Sequence, residues 1–250
     1  MLPLDAVNAS LKIQFTPPLF ESDVSAGEEL SFNIRLKNTD SARNELRAQV
    51  LSISMNDEGR MRFSDDPFRA HSCQSWIDLN PKQILLEPDE IKKVMVHIRV
   101  PQRIQGGYYA AILFTTVNGY SEQGKTRIGL SVSTGTMVIL SARGSLKRDA
   151  GIMSFGIDSQ AKFTLQFQNK SNVHIKPDVS IVIYDEQDRV IDRINFKEDN
   201  FLLPESRRTF YGQWDNAKKK KKHKSYTAEC RVTIKGLGKR LIEKRTFHLK

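Results

Sequence analysis

Leu30-Ser31-Phe32-Asn33-Ile34-Arg35-Leu36-Lys37 sets an apolar residue at every second position. Side chains on a strand point alternately to opposite faces, so this spacing describes a strand with one buried and one solvated face. Val94, Val96, Ile98 and Val100 repeat the pattern and stop at Pro101. Tyr108 to Val117 is apolar on both parities, as a strand covered on both faces would be. Gly129 to Leu140 reads as one long strand, alternating first and then apolar through Met137-Val138-Ile139-Leu140. Beyond Gly144 the pattern restarts with Phe163, Leu165 and Phe167, then Val179, Ile181 and Ile183. Tyr226, Ala228, Cys230, Val232 and Ile234 form the clearest strand of that half, and Phe247 and Leu249 close the chain on one parity. No helical stripe lasts more than about two turns, so little helix is expected.

Turn chemistry separates these runs. Asn56-Asp57-Glu58-Gly59 and Asp185-Glu186-Gln187-Asp188 read as hairpin turns, and Gly236-Leu237-Gly238 divides the last two strands. Many short strands with turns between them predict an all-β protein: two tandem immunoglobulin-like β-sandwiches. The expected domains are residues 1–143 and 144–250, joined at Ala142-Arg143-Gly144-Ser145.

Charge supports that division. The chain of 250 residues carries 39 Lys+Arg and 29 Asp+Glu. Up to Arg143 the count is 16 against 16; from Gly144 onward it is 23 against 13, so the whole excess of +10 falls in the second part. Such asymmetry points to a negatively charged partner there. No run of about 18 apolar residues exists to span a bilayer. Met1-Leu2-Pro3-Leu4-Asp5 lacks the basic and apolar regions of a leader, so the chain is expected to be cytosolic or a mature form. Cys73 and Cys230 fall in different parts and read as two isolated thiols.

Three stretches carry a family resemblance: Pro17-Pro18-Leu19-Phe20-Glu21, Val24-Ser25-Ala26-Gly27-Glu28, and the strand ending Leu36-Lys37-Asn38. Ser75-Trp76-Ile77, Leu86-Glu87-Pro88 and Gly106-Gly107-Tyr108-Tyr109-Ala110-Ala111 extend it. The first part resembles the amino-terminal domain of periplasmic pilus chaperones, and also that of WxL-interacting surface proteins. Asn169-Lys170-Ser171-Asn172-Val173-His174 and Leu203-Pro204-Glu205-Ser206-Arg207-Arg208 are similar to the carboxy-terminal domain that accompanies such units. The resemblance implies an exported bacterial protein of the periplasm or cell surface, its leader removed. It implies a binding or assembly role that engages a surface or appendage subunit. It also implies a basic pair that anchors a subunit's terminal carboxylate, for which Lys12 is the first member; the last strand, Leu130 to Met137, has no Lys or Arg for the second.

Chemistry is sparse. His71, His97, His174, His223 and His248 show no zinc spacing. Ser121 sits in Gly119-Tyr120-Ser121-Glu122-Gln123-Gly124, one residue too long for a nucleophile elbow, and reads as part of a hairpin loop. Asp185, Glu186 and Asp188 are read as a solvated turn before a Ca²⁺ site. Trp76 and Trp214 are read as packing residues. The expectation is a protein without catalytic function, cofactor or metal. Two surfaces remain as candidates. One is an edge strand for a protein partner, with Leu130, Val132, Thr134, Thr136 and Val138 turned outward. The other is a polyanion site of Lys218, Lys219, Lys220, Lys221, Lys222 and Lys224, extended by Lys239 and Arg240 and by Lys244 and Arg245. Nucleic acid is disfavoured because no aromatics interleave the lysines.

Overall fold

The computed structural model describes residues 12–117, 120–123, 126–129, 132–196, 201–215, 225–238 and 240–248. They group into two compact units, Met1–Ile53 with Phe63–Gly144, and Ser54–Arg62 with Ser145–Lys250. Local pattern gives no signal that Ser54–Arg62, the tip of one hairpin, groups with the second unit.

The first unit is a sandwich of two sheets. One orders β1 (Ile13–Thr16), β3 (Glu29–Asn38), β8 (Ile91–Arg99) and β6 (Ile77–Asn80). The other orders β2 (Leu19–Val24), β12 (Ser133–Ala142), β9 (Gly107–Thr116), β4 (Asn44–Met55) and β5 (Met61–Ser64), with β7 (Gln83–Leu86) beside β4. A separate hairpin joins β10 (Tyr120–Gln123) to β11 (Thr126–Gly129). The alternation quoted above is β3: Ile34 and Leu36 are fully buried, with Leu30 and Phe32 packed at the margin of the same core. Val94, Val96 and Ile98 of β8 meet them in register. On β9, Ala110, Ile112 and Phe114 face the core while Tyr109 and Ala111 are buried on the opposite parity, as the apolar run implied. The single strand expected over Gly129–Leu140 is instead two. β11 ends at Gly129 because it folds back on β10, and β12 begins at Ser133.

The second unit repeats the plan. One sheet orders β13 (Ala150–Ile157), β14 (Lys162–Asn169) and β17 (Arg207–Gln213). The other orders β16 (Val190–Asn195), β15 (Pro177–Tyr184), β18 (Tyr226–Ile234) and β19 (Arg240–Phe247). Phe163, Leu165, Phe167, Val179, Ile181, Ile183 and the Tyr226–Ile234 parity fill its core. Fully burying side chains of this size stabilises by roughly 1.5–3 kcal/mol each. The described residues of both units contain no α-helix.

One polar device recurs in both units. Asn38, at the end of β3, is fully buried. Its Nδ2 donates to the carbonyls of Ala42, Leu86 and Glu87 at 2.8, 3.1 and 3.2 Å, and its Oδ1 accepts from Asp40 N–H at 3.0 Å. Asn169, at the end of β14, does the same with the carbonyls of Val173, Leu202 and Leu203 at 3.0, 3.2 and 2.8 Å, and with Ser171 N–H at 2.9 Å. The offsets along the chain are identical: acceptor four residues on, donor two residues on. A short amide satisfies several main-chain groups where a strand leaves the sheet, which burial would otherwise leave unpaired. This gives the strand-to-Asn layout its physical reason.

Candidate functional site

β12 is paired along both sides for only part of its length. On one side it runs antiparallel to β9 from Ser133 opposite Thr115 to Ser141 opposite Gly107. On the other side β2 lies parallel to it, but only from Met137 opposite Leu19 to Ala142 opposite Val24. Within Ser133–Thr136, therefore, one edge of β12 carries no strand among the described residues. Main-chain groups alternate in direction along a strand. Thr116 N–H donates to Val132 C=O and Ala142 N–H to Gly106 C=O, so even-numbered residues point to the β9 side. Met137 N–H donates to Pro18 C=O and Arg143 N–H to Val24 C=O, so odd-numbered residues point to the β2 side. Ser133 and Gly135 thus direct an N–H and a C=O each to the open edge.

The predicted edge residues divide accordingly. Leu130 lies outside the described residues. Val132 precedes β12 and gives its carbonyl to Thr116. Thr134 is half-buried on the core parity, and Thr136 is buried with its hydroxyl donating to Pro17 C=O at 2.7 Å. Val138 is fully buried in the core and flanked by both β9 and β2, so it is not an edge residue. The expectation that this parity turns outward is corrected: Val138 and Leu140 belong to the core, and Ser133, Gly135 and Met137 hold the outer parity. Sequence reading missed Ser133 and Gly135 because neither is apolar. Gly135 also has a steric reason: a Cβ there would come within 2.0 Å of Ile112 C=O on β9.

The basic pair implied by the resemblance is not brought together. Lys12 lies beside Asp40 at 3.6 Å, near the end of β3. Arg143, just past β12, donates to Ser25 Oγ at 3.0 Å and reaches Glu28 at 3.5 Å, near the start of β3. Ten residues of β3 separate the two places.

The lysine run, Lys218, Lys219, Lys220, Lys221, Lys222 and Lys224, lies outside the described residues, as does Lys239. Arg240 is exposed at the start of β19, opposite Thr233. The run joins β17 to the Tyr226 end of β18, whereas Arg240 sits at the Ile234 end, about 25 Å of strand away. Lys244 is committed elsewhere, at 2.9 Å from Glu229, and Arg245 pairs with Glu243 at 3.3 Å.

Glu229, nearly buried on β18, is held by Lys244 and by Arg231, whose guanidinium also donates to Tyr184 Oη at 2.6 Å. Burial pushes its carboxyl up, but the bonds and charges of Lys244 and Arg231 outweigh burial and hold it below its ordinary 4.5. A depressed folded value means stabilisation that is present above the unfolded value and lost as pH falls through the folded one. The melting temperature is expected to drop between about pH 5 and 3, and Glu229→Gln is expected to flatten that drop while lowering stability at pH 7. Parallel melting curves across pH for both proteins would remove Glu229 from the account.

The remaining motifs are structural. Asp185 accepts from Gln187 N–H, Arg189 N–H and Arg189 Nε, capping the turn in which it lies. Ser121 falls on β10, within the β10–β11 hairpin. Trp76 packs against Tyr108, ring centres 4.4 Å apart, and Trp214 is buried with Nε1 donating to Asp192 at 2.8 Å. Cys73 and Cys230 are buried free thiols; burial pushes both up, Cys230 to about 12 with help from Glu243.

No family model and no curated protein matches the chain. Solved structures do. A chain of the chaperone–tip adhesin complex of CFA/I fimbriae biogenesis superposes with a TM-score of 0.50 at 11% identity, covering 93% of this chain and 98% of that one. The class 5 fimbriae chaperone CfaA gives 0.48 at 12% identity, with 93% and 98% covered. The E. coli chaperone DraB gives 0.47 at 11%, with 96% and 98% covered. Identities this low speak to fold: the chain resembles pilus chaperones in its two immunoglobulin-like sandwiches.

Proposed function

We propose that this protein holds a partner protein by strand addition at the open edge of β12, in the manner of a chaperone or assembly module. The observation that carries the reading is that the outward N–H and C=O groups of Ser133 and Gly135 meet no strand among the described residues, beside an edge that β2 covers only from Met137 onward. An added strand gains main-chain hydrogen bonds along such an edge. Beside it, Leu19 and Met137 sit on the outer parity, Leu19 43% exposed, and offer apolar contact to the guest's side chains. The solved structure at TM-score 0.50 comes from a chaperone–adhesin complex, which suggests an appendage or surface subunit as the partner class. A periplasmic or cell-surface site of action goes with that reading, and no described helix is long and apolar enough to cross a membrane. The role asks for no catalytic group.

Ser133→Pro tests it. Proline removes the outward N–H and puts its ring on the open side, while the bonds to β9 come from the even-numbered residues and stay. A photo-crosslinker placed at Leu19 is expected to give a discrete adduct in envelope extract with the parent protein and none with Ser133→Pro. The variant's melting temperature should stay within a few degrees, since it loses one hydroxyl pair with Thr115. An adduct undiminished by the proline would refute strand addition at this edge.

A further inference from the structure

The second unit gathers exposed cations at one end of its strands. At one end meet the start of β15, the end of β18, the start of β19 and the segment entering β13. Lys176 precedes Pro177, which faces Ile234; Lys235 follows Ile234; and Arg240 faces Thr233. These three cations stand at the ends of three neighbouring strands, about 4.8 Å apart in succession. Arg148 arrives from the other sheet, its side chain 3.3 Å from where a Cβ of Gly236 would lie. Lys147 and Lys170 flank it, joined through the Asn172–Lys147 and Lys170–Asp149 main-chain bonds. All six are exposed, and none forms an ion pair with a described residue. Asp149, Asp178 and Glu205 are nearby acids among the described residues, and Asp149 already accepts from Ala150 N–H. Among the described residues the opposite end mixes Asp158, Asp185, Glu186, Asp188 and Asp215 with Lys162 and Arg189.

We propose that this basic end, and not the lysine run, binds phosphate-bearing anions displayed in series, on a polymer or on a bilayer surface. The reading is independent of strand addition. Like charges held together mildly oppose compaction, so a cluster that the fold gathers and that no ion pair among the described residues neutralises is suited to bind a counter-charge. The cations are spread over strand ends instead of converging into a pocket, which suits a row of anions better than a single one. Arg148 and Arg240 add fork-like donors that match phosphate oxygens. Nucleic acid fits less well, because the aromatic ring here, Phe201, is buried beneath Lys176 and His174 and offers no stacking face.

The full chain carrying Arg148→Ser, Lys176→Ser, Lys235→Ser and Arg240→Ser tests the proposal against inorganic polyphosphate and against phosphatidylglycerol vesicles. Binding to one, both or neither separates a soluble polymer from a surface; neither overturns the proposal. At about 50 mM salt the affinity of the responding probe should fall at least tenfold, and the salt slope for polyphosphate should shrink by roughly 3, the share of four contacts. A second variant, Lys218–Lys222 and Lys224 changed to Ser, should keep most of the affinity. Loss confined to that second variant, or unchanged affinity and slope in the first, would overturn the assignment. Polyglutamate bound as tightly as polyphosphate would overturn the phosphate preference. Circular dichroism of both variants should match the parent, because every substituted residue that is described is exposed.

Discussion

Asn169→Ala should lower the unfolding free energy reported by Trp214 fluorescence by about 3–5 kcal/mol, although it removes only a few atoms. Val173 C=O and Ser171 N–H would lose the partner that Asn169 provides in a fully buried place, and Leu202 C=O and Leu203 C=O would each lose one donor while keeping those of Ile175 and Ser206. Each stranded buried group costs roughly 1–3 kcal/mol, reduced where one donor was shared among acceptors. The isosteric Asn169→Asp is the sharper test. It keeps the shape but turns a two-proton donor into an acceptor facing three carbonyl oxygens. It should therefore be at least as damaging as alanine at pH 7. Aspartate milder than alanine in denaturant unfolding would show that shape, not donation, is what the site requires. Asn172→Ala, which loses a partly buried bond to Ser145 C=O and an exposed one from Lys147 N–H, should cost less, about 1–2 kcal/mol.

Trp214→Ala should be of similar size, about 3–5 kcal/mol, for a different reason. Trp214 fills the core beside Tyr226 and Phe247, ring centres 5.3 and 6.3 Å away and both near edge-on. Truncation leaves a cavity that sheets pinned by their ladders cannot close. Trp214→Phe keeps most of the volume and gives up the bond to Asp192, so about 1–2 kcal/mol is expected. Calorimetry should rank alanine well below phenylalanine. Equal losses would assign the stability to the hydrogen bond and not to packing.

Fold class was legible because alternation is a local property. Leu30 to Leu36, Val94 to Ile98 and Tyr226 to Ile234 need only their own spacing to declare a buried face. The candidate site was legible only in outline. β12 could be picked out as a strand, but which parity faces the core depends on β9 and β2, which lie elsewhere in the sequence. The apolar parity of Val138 was read as outward when the core claims it, and Ser133 and Gly135 were silent because their contribution is main-chain. Nearness in sequence is also a poor guide to the spacing of charge. Lys239 and Arg240 are near Lys224 in sequence, yet Arg240 lies a full strand length from Tyr226 because β18 runs between. The role of Asn38 and Asn169 was visible as a layout without a cause, since the carbonyls they hold come from distant segments.

In the strand addition proposed above, the partial cover of β12 by β2 would also act as a stop. Among the described residues the opening runs over Ser133 to Thr136, and Met137 is already taken by β2. A guest lying there has about 13 Å before it meets the end of β2. Such a guest would be halted at Met137, so the place of its leading end would be set by β2. A slip of one residue would turn every guest side chain to the wrong face. Selection among guests would then be made by which windows present apolar side chains in the phase that β2 allows, a measurement carried out by the host's own β2.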